Sequence, residues 1–309
     1  MTRRTASVSA TLSWGILLPA VLFLGALLLA PAALRAAPPE PGPGCPEPAA
    51  MRAMAASLMA RAPVQPFGRS LTLQDGVCAQ SRLVPAMREH LGEVVGWKVG
   101  LTNEAAQKRF GVSHPLAGPI YAATVRARSG DTLPAGFAAV PVVEADLIVR
   151  VKDAAIAGAG EDHVAILRHI DQIIPFIELP DLALADPGRM DGPNLLAIGV
   201  GARLGVVGEP IAPEATEAFA ARLGRMTVRF SDDRKELASA PGSALLGHPL
   251  NVIPWLVKEL EGRGLALKAG DLISLGGFSP ALPAEKGRSY TTTYTGLLAE
   301  PVSVRVTLE

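Results

Sequence analysis

Three acidic side chains of this chain stand where acids are out of place. The stretch Pro141 to Val149 reads as a β-strand and carries Glu144 and Asp146 two residues apart. The two-residue period of a strand turns both carboxylates to one face and Val143, Ala145 and Leu147 to the other. A second strand-like run, Ile173 to Leu179, holds Glu178 near its end. A buried carboxylate without a partner takes up a proton unless a cation keeps it ionised. Neither run contains Lys or Arg, and three carboxylates from two strands suit a hard divalent ion with oxygen ligands, Mg²⁺ or Mn²⁺, with positions left open for substrate and water. The same residues also fit an edge strand whose acids face solvent, with Glu178 capping a turn beside Asp181. Lys98 is a fourth charge in an apolar setting, in the middle of Gly96 to Thr102. Its stem could equally lie along a sheet with the ammonium reaching water.

The elements that must position these groups come from hydrophobic periodicity. Ala49 to Arg61 and Gln80 to Leu91 predict two helices, so the globular part opens with a helical segment. β-Branched runs then predict strands at 94–101, 120–125, 140–151, 173–179, 195–200, 226–230, 272–275 and 302–308. Helices are expected at 162–172, 213–223 and 251–262. The pattern is α+β with strands in the majority, too irregular for a repeated βαβ alternation. Four segments follow: 1–37, a Pro-rich extended spacer at 38–48, a helical segment at 49–92 and a strand-rich domain at 93–309.

Composition limits the partners. A 49% hydrophobic, 19% charged chain of 309 residues folds rather than staying disordered. With 29 basic and 29 acidic residues it has no excess of positive charge for nucleic acid. Arg3 and Arg4, an uncharged stretch to Leu34 and the small residues Ala36 and Ala37 form the pattern of a secretory signal. Uncleaved, the same stretch is long enough for a membrane anchor. Either outcome places the remainder outside the cytoplasm, periplasmic, secreted or membrane-tethered, with the N-terminal segment as its one route to a membrane. Cys45 and Cys78 lack the spacing of a zinc site, and in an oxidising compartment they could pair.

The chain resembles the 2-keto-4-pentenoate hydratase branch of the fumarylacetoacetate hydrolase superfamily. The resemblance runs from about residue 50 to the C-terminus. It rests on GxKxGLT at Gly96 to Thr102, the Glu144/Asp146 pair, Glu178, Asn194, LGHPLNVxxWL at Leu246 to Leu256, and KAGDxISxGxxS at Lys268 to Ser279. It implies a β-rich mixed-sheet roll in which Glu144, Asp146 and Glu178 hold Mg²⁺ or Mn²⁺. The metal would bind the carboxylate and 2-oxo oxygens of a small 2-oxo acid or its enol, such as 2-hydroxypenta-2,4-dienoate. Lys98 matches the family's active-site lysine, Asn194 an asparagine near the substrate, and Gly276, Gly277 and Ser279 the loop that approaches the substrate carboxylate. His248 reads as structural. A homo-oligomer is a further expectation of the resemblance.

Three positions depart from the family pattern. Leu116 stands where these hydratases have an acidic residue, Asp146 where the second acid is usually Glu, and Pro193 where Ser often precedes the asparagine. The resemblance therefore leaves three activities in view: hydration, decarboxylation or hydrolysis of an oxalo or β-keto acid at the same metal, and binding of 2-oxo or dicarboxylic acids without turnover.

Overall fold

The computed structural model describes residues 44–67 and 71–309. The signal or anchor at 1–37, most of the spacer and the boundary between them lie outside the described residues. Among the described residues no helix is long and apolar enough to cross a membrane.

The described residues open with helices α1 (Pro48–Met59) and α2 (Leu73–Leu91). α2 begins seven residues before the start expected from periodicity, because Thr72 and Asp75 form a reciprocal capping box that satisfies the first free N–H groups. Strand β1 (Val94–Gly100), α3 (Glu104–Arg109) and β2 (Leu116–Tyr121) follow, then the short strands β3 (Ala127–Arg128) and β4 (Thr132–Leu133). The long strands β5 (Val142–Val151) and β6 (Ile170–Leu179) flank α4 (His163–Arg168). Then come α5 (Gly192–Ala197), β7 (Leu204–Val207), α6 (Glu217–Arg225), β8 (Thr227–Asp232) and β9 (Glu236–Pro241). α7 (Val252–Gly262), β10 (Leu272–Ser274), β11 (Leu282–Pro283), β12 (Arg288–Thr295) and β13 (Val302–Leu308) complete the chain.

The strands of the described residues form two mixed sheets. The larger runs β2-β1-β10-β5-β6-β7-β3, with β11 extending β5, and the smaller runs β4-β13-β12-β8-β9. β5 is therefore an interior strand, held by β10 and β11 on one side and β6 on the other. The outward-facing edge strand considered from the sequence does not occur. Val143, Ala145, Leu147 and Val149 enter a core shared by both sheets, α6 and α7. A second apolar cluster joins α1 and α2 to β2 and α5 through Met51, Leu83, Leu116 and Leu196. Gln80 crosses that layer fully satisfied: its amide donates to the carbonyls of Ala117 and Leu196, and its oxygen accepts from Arg263.

Two expected strands are different structures. Leu195 to Val200 lies in α5 and a following 3₁₀ turn, because Asp191 caps the helix and Pro193 occupies its first turn. A short buried apolar run has no period that separates strand from helix. Ala122 to Val125 is also a 3₁₀ turn, and the strand lies upstream at β2. Pro119 fits inside β2 because β2 is an edge of the sheet and lacks a neighbour on one side. The helix expected to reach Gln172 ends at Arg168, where the β-branched run from Ile170 enters the sheet.

Cys45 and Cys78 form a disulfide, with Cα atoms 5.6 Å apart. It fastens the segment ahead of α1 to the middle of α2. Closing a loop of 33 residues restrains the unfolded chain by about 3 to 4 kcal/mol in the chain-entropy account. Replacing both cysteines by Ser is expected to lower Tm by several degrees without changing the fold, as followed by thermal unfolding and far-UV circular dichroism.

Candidate active site

The register of the larger sheet gathers the four charges. Glu144 lies directly opposite Glu178, and Asp146 opposite Phe176. Ser274 is opposite Ile148, and Lys98 is beside Ser274. Directly paired residues share a face, so Lys98, Ser274, Asp146, Glu144 and Glu178 project from one side of the sheet. Lys98, Asp146 and Glu178 are buried, and Glu144 is partly exposed.

The side chains are individually held. Lys98 Nζ pairs with Glu178 Oε1 at 2.5 Å. Asp146 accepts from the Ser274 hydroxyl at 2.6 Å, the Gly276 N–H at 3.1 Å and its neighbour's N–H. The Ser279 hydroxyl oxygen accepts from the Ala145 N–H at 3.0 Å, which pins the loop after β10 beside Glu144. A Cβ on Gly277 would stand 2.5 Å from Glu144 Oε2, so the absent side chain is what leaves room for that carboxylate. Behind the strands, the Tyr294 hydroxyl of β12 donates to the Asp146 carbonyl and accepts from the Phe176 N–H. The smaller sheet thereby braces the level at which Asp146 projects.

The face opens on a cavity of about 410 Å³. Lys98, Glu144, Glu178, Gly277 and Ser279 line it, with apolar walls that include Val99, Leu182, Leu195, Val200 and Phe278. The turn leaving β1 also contributes. Leu101 and Leu246 both adopt the left-handed conformation that ordinary residues avoid, at a cost of about 1 kcal/mol or more each. They meet at Thr102, whose carbonyl accepts from the Leu246 N–H. The Thr102 hydroxyl is buried without a hydrogen-bond partner among the described residues.

Electrostatically, the face holds three carboxylates against one ammonium. Burial, followed by repulsion from Glu178, pushes Glu144 up to about 8 and Asp146 up to about 7. Burial alone would lower Lys98, but Glu178, Glu144 and Asp146 together outweigh it and raise the ammonium. Two carboxylates that retain protons in the folded state and release them on unfolding make stability fall as pH rises from about 4 to about 8. With chelator present, the Tm of the protein is expected to drop between pH 5 and pH 8. Glu144→Gln should shrink that drop, as measured by thermal unfolding at both pH values.

The structure brings together Lys98, Glu144, Asp146, Glu178, Gly276, Gly277 and Ser279. Asn194 is not among the cavity-lining residues: its amide donates to the Arg189 carbonyl and to Asp191, the cap of α5, while its buried Oδ1 has no hydrogen-bond partner among the described residues. The turn signal Asp191-Gly192-Pro193 claims that side chain for the helix start. His248 is structural, its Nδ1 accepting from Leu250 and its Nε2–H donating to the Ala220 carbonyl. Sequence reasoning missed Ser274 and Tyr294. An isolated Ser in an apolar strand was a usable signal for the first; nothing local marks which strand a Tyr in a Thr-rich run will reach.

The fold is the one found in solved structures of the fumarylacetoacetate hydrolase type. The 4-oxalocrotonate decarboxylase of Pseudomonas putida G7, solved with magnesium and adipate, superposes with a TM-score of 0.73 at 23% identity, over 85% of this chain and 97% of that one. A protein of Oleispira antarctica described as a fumarylacetoacetate isomerase/hydrolase gives a TM-score of 0.51 at 14% identity, over 70% of this chain and 94% of that one. In sequence, the 2-keto-4-pentenoate hydratase of Paraburkholderia xenovorans is 26% identical over 239 residues, 76% of this chain and 85% of the relative. The 4-oxalocrotonate decarboxylase of Pseudomonas putida is 26% identical over 227 residues, 74% and 83% of the two chains. No family model matches the chain. In sequence the chain is similar to the 2-keto-4-pentenoate hydratase branch.

Proposed function

We propose that this protein is a divalent-metal-dependent lyase of the hydratase type, acting on a small 2-oxo acid or its 2-hydroxydienoate enol, such as 2-hydroxypenta-2,4-dienoate. The observation that carries the reading is Glu144, Glu178 and Lys98 on the floor of a largely apolar cavity, with a third carboxylate, Asp146, buried beside them on the same face of the sheet. Curated relatives named for hydration of 2-keto-4-pentenoate and 2-hydroxyhexa-2,4-dienoate support it.

The donor set suits Mg²⁺ or Mn²⁺ in chemistry and charge. It is all carboxylate oxygen and carries two more negative charges than positive when ionised. Among the described residues no three acidic, His or Cys side chains stand in a closed metal-holding arrangement. Glu178 is turned to Lys98, and Asp146 is tied to Ser274 and Gly276. Glu144, Asp146 and Glu178 are the residues that would hold the ion. When bound it would supply Lewis-acid polarisation of the 2-oxo or enol oxygen. Lys98 contributes a desolvated ammonium that steadies negative charge on that oxygen. The Ser279 hydroxyl, whose oxygen already accepts from Ala145, keeps its proton for a substrate carboxylate. The apolar walls exclude water from the substrate's carbon chain.

Leu116 favours a second reading, decarboxylation of an oxalo or β-keto acid. It lies opposite Gly100 on the Lys98 face of the sheet, buried in the helical cluster, and has no proton to give or take. Loss of CO₂ requires enolate stabilisation but no addition of water. Purified protein with Mg²⁺ or Mn²⁺ is to be assayed on 2-hydroxypenta-2,4-dienoate and on oxaloacetate. Turnover of the dienoate that disappears in Glu178→Ala supports the hydratase, and turnover of oxaloacetate alone supports the decarboxylase. Binding without turnover of either points to a binder. Protein that is indifferent to divalent ions refutes the enzymatic readings. Leu116→Asp is expected to raise the hydration rate.

The same proposal places the protein outside the cytoplasm. The Cys45–Cys78 disulfide and the signal-like pattern of the first 37 residues support this location. Cell fractionation followed by thiol alkylation tests it: recovery of reduced cysteines from a cytoplasmic fraction refutes it. A homo-oligomer belongs to the proposal as well, to be checked by light scattering.

A further inference from the structure

The cavity has a charged floor, apolar walls and one further charge. Besides Lys98, Glu144 and Glu178, Arg109 is the only charged side chain among the lining residues. It sits at the last position of α3, which presents Ala105, Ala106 and Arg109 to the cavity and has no buried residue of its own. Arg109 follows Ala105 by four residues and Ala106 by three, the spacings that make side chains neighbours on a helix. Lys98 is buried whereas Arg109 is exposed, so the lysine belongs to the floor and the arginine to the mouth. The Arg109 guanidinium lies 5.7 Å from the centre of the Phe110 ring. Among the described residues it forms no ion pair with a carboxylate. Its position is set by short connections: Gln107 of the same helix donates to the Leu101 carbonyl at the start of the turn, and Asn103 caps α3.

We propose that Arg109 receives the distal carboxylate of a dicarboxylic 2-oxo acid whose 2-oxo end occupies the Lys98 floor. The inference rests on the reading of the cavity as a 2-oxo acid site and names the substrate class within it. A monoacid leaves the guanidinium in water. A diacid of sufficient length adds a charge-assisted, fork-shaped contact to a cation that no protein carboxylate claims. Phe110 limits the rotation of that cation. Partial exposure screens the pair, so the expected preference is about tenfold in affinity.

The test is isothermal titration of the purified full chain with 2-oxoadipate and with 2-oxohexanoate, which have equal chain length and differ in the distal carboxylate. It is run with Mg²⁺ in excess and again with chelator. The wild type is expected to favour the diacid about tenfold, a ratio that collapses towards unity in Arg109→Gln and narrows as KCl is raised. Arg109→Lys should keep part of it. Position 109 is exposed on a helix with no buried residue, so these variants retain the fold. Equal affinities in the wild type, or a preference that survives in Arg109→Gln, overturn the assignment of Arg109 and leave the cavity reading intact. If neither acid binds, or if monoacid binding is indifferent to Glu178→Ala, the cavity reading fails and the inference with it.

Discussion

Glu178→Gln is expected to lower kcat about 10²- to 10³-fold while leaving the protein at least as stable as the wild type. The two halves of this result have separate causes. Glu178 is the acid that faces Lys98 and stands opposite Glu144, so losing its charge removes a group that would hold the ion and orient the ammonium. Yet like charges directly across a strand pair oppose folding. After burial, Glu178 is the largest influence raising both Glu144 and Asp146. The amide removes that repulsion, and Lys98 keeps two carboxylates nearby. Turnover with saturating Mg²⁺ and thermal unfolding at pH 8 with chelator measure the two halves. A marked fall in Tm would mean that the Lys98–Glu178 pair holds the sheet together, and that the residue is structural first.

Lys98→Met should have the opposite profile in stability. Met preserves the stem and removes the charge, leaving three carboxylates facing one another in a buried setting. Breaking a buried pair by removing one partner costs about 3 kcal/mol or more. Without the ammonium, Glu144 and Asp146 are raised further, since Lys98 is among the influences that lower them. The deficit therefore grows as pH rises above the ordinary carboxylate range and shrinks towards pH 5, where the acids are protonated in the folded protein. Added Mg²⁺ should recover part of the Tm at pH 8, because it restores positive charge to the same face. It should not recover kcat, which is expected to remain about 10²- to 10⁴-fold down. Full recovery of turnover by metal alone would show that Lys98 only balances charge.

How legible the site was depends on the range of the information. Glu144 and Asp146 could be placed on one face from strand periodicity alone, and Lys98 and Glu178 drew attention as charges in apolar runs. Their partners were another matter. That Glu178 sits opposite Glu144 depends on a register set by the β5–β6 pair, and that Lys98 reaches Glu178 depends on β10 lying between β1 and β5. The setting of Asn194 has a local cause that was present in the sequence: Asp191 three residues earlier is a helix cap, which accepts from the Asn194 backbone N–H and here also from its side-chain amide. The buried apolar run at Leu195 was ambiguous between helix and strand by periodicity, and the same cap would have decided it.

By itself the sequence determined the α+β class, the common face of Glu144 and Asp146 and the motifs by which the chain resembles the hydratase branch. These rest on alternation and on side-chain chemistry, which act over a few residues. The tertiary structure decided that β5 is interior rather than an edge, that Tyr294 from the second sheet braces the level of Asp146, and that Arg109 is the one charge at the mouth of the cavity. It also joined Cys45 to Cys78, a pairing that the sequence left open. The physical reason is the same in each case. Burial and charge pairing depend on which distant segments come to lie side by side, and the hydrophobic packing and strand pairing that choose those neighbours act between residues far apart in the chain.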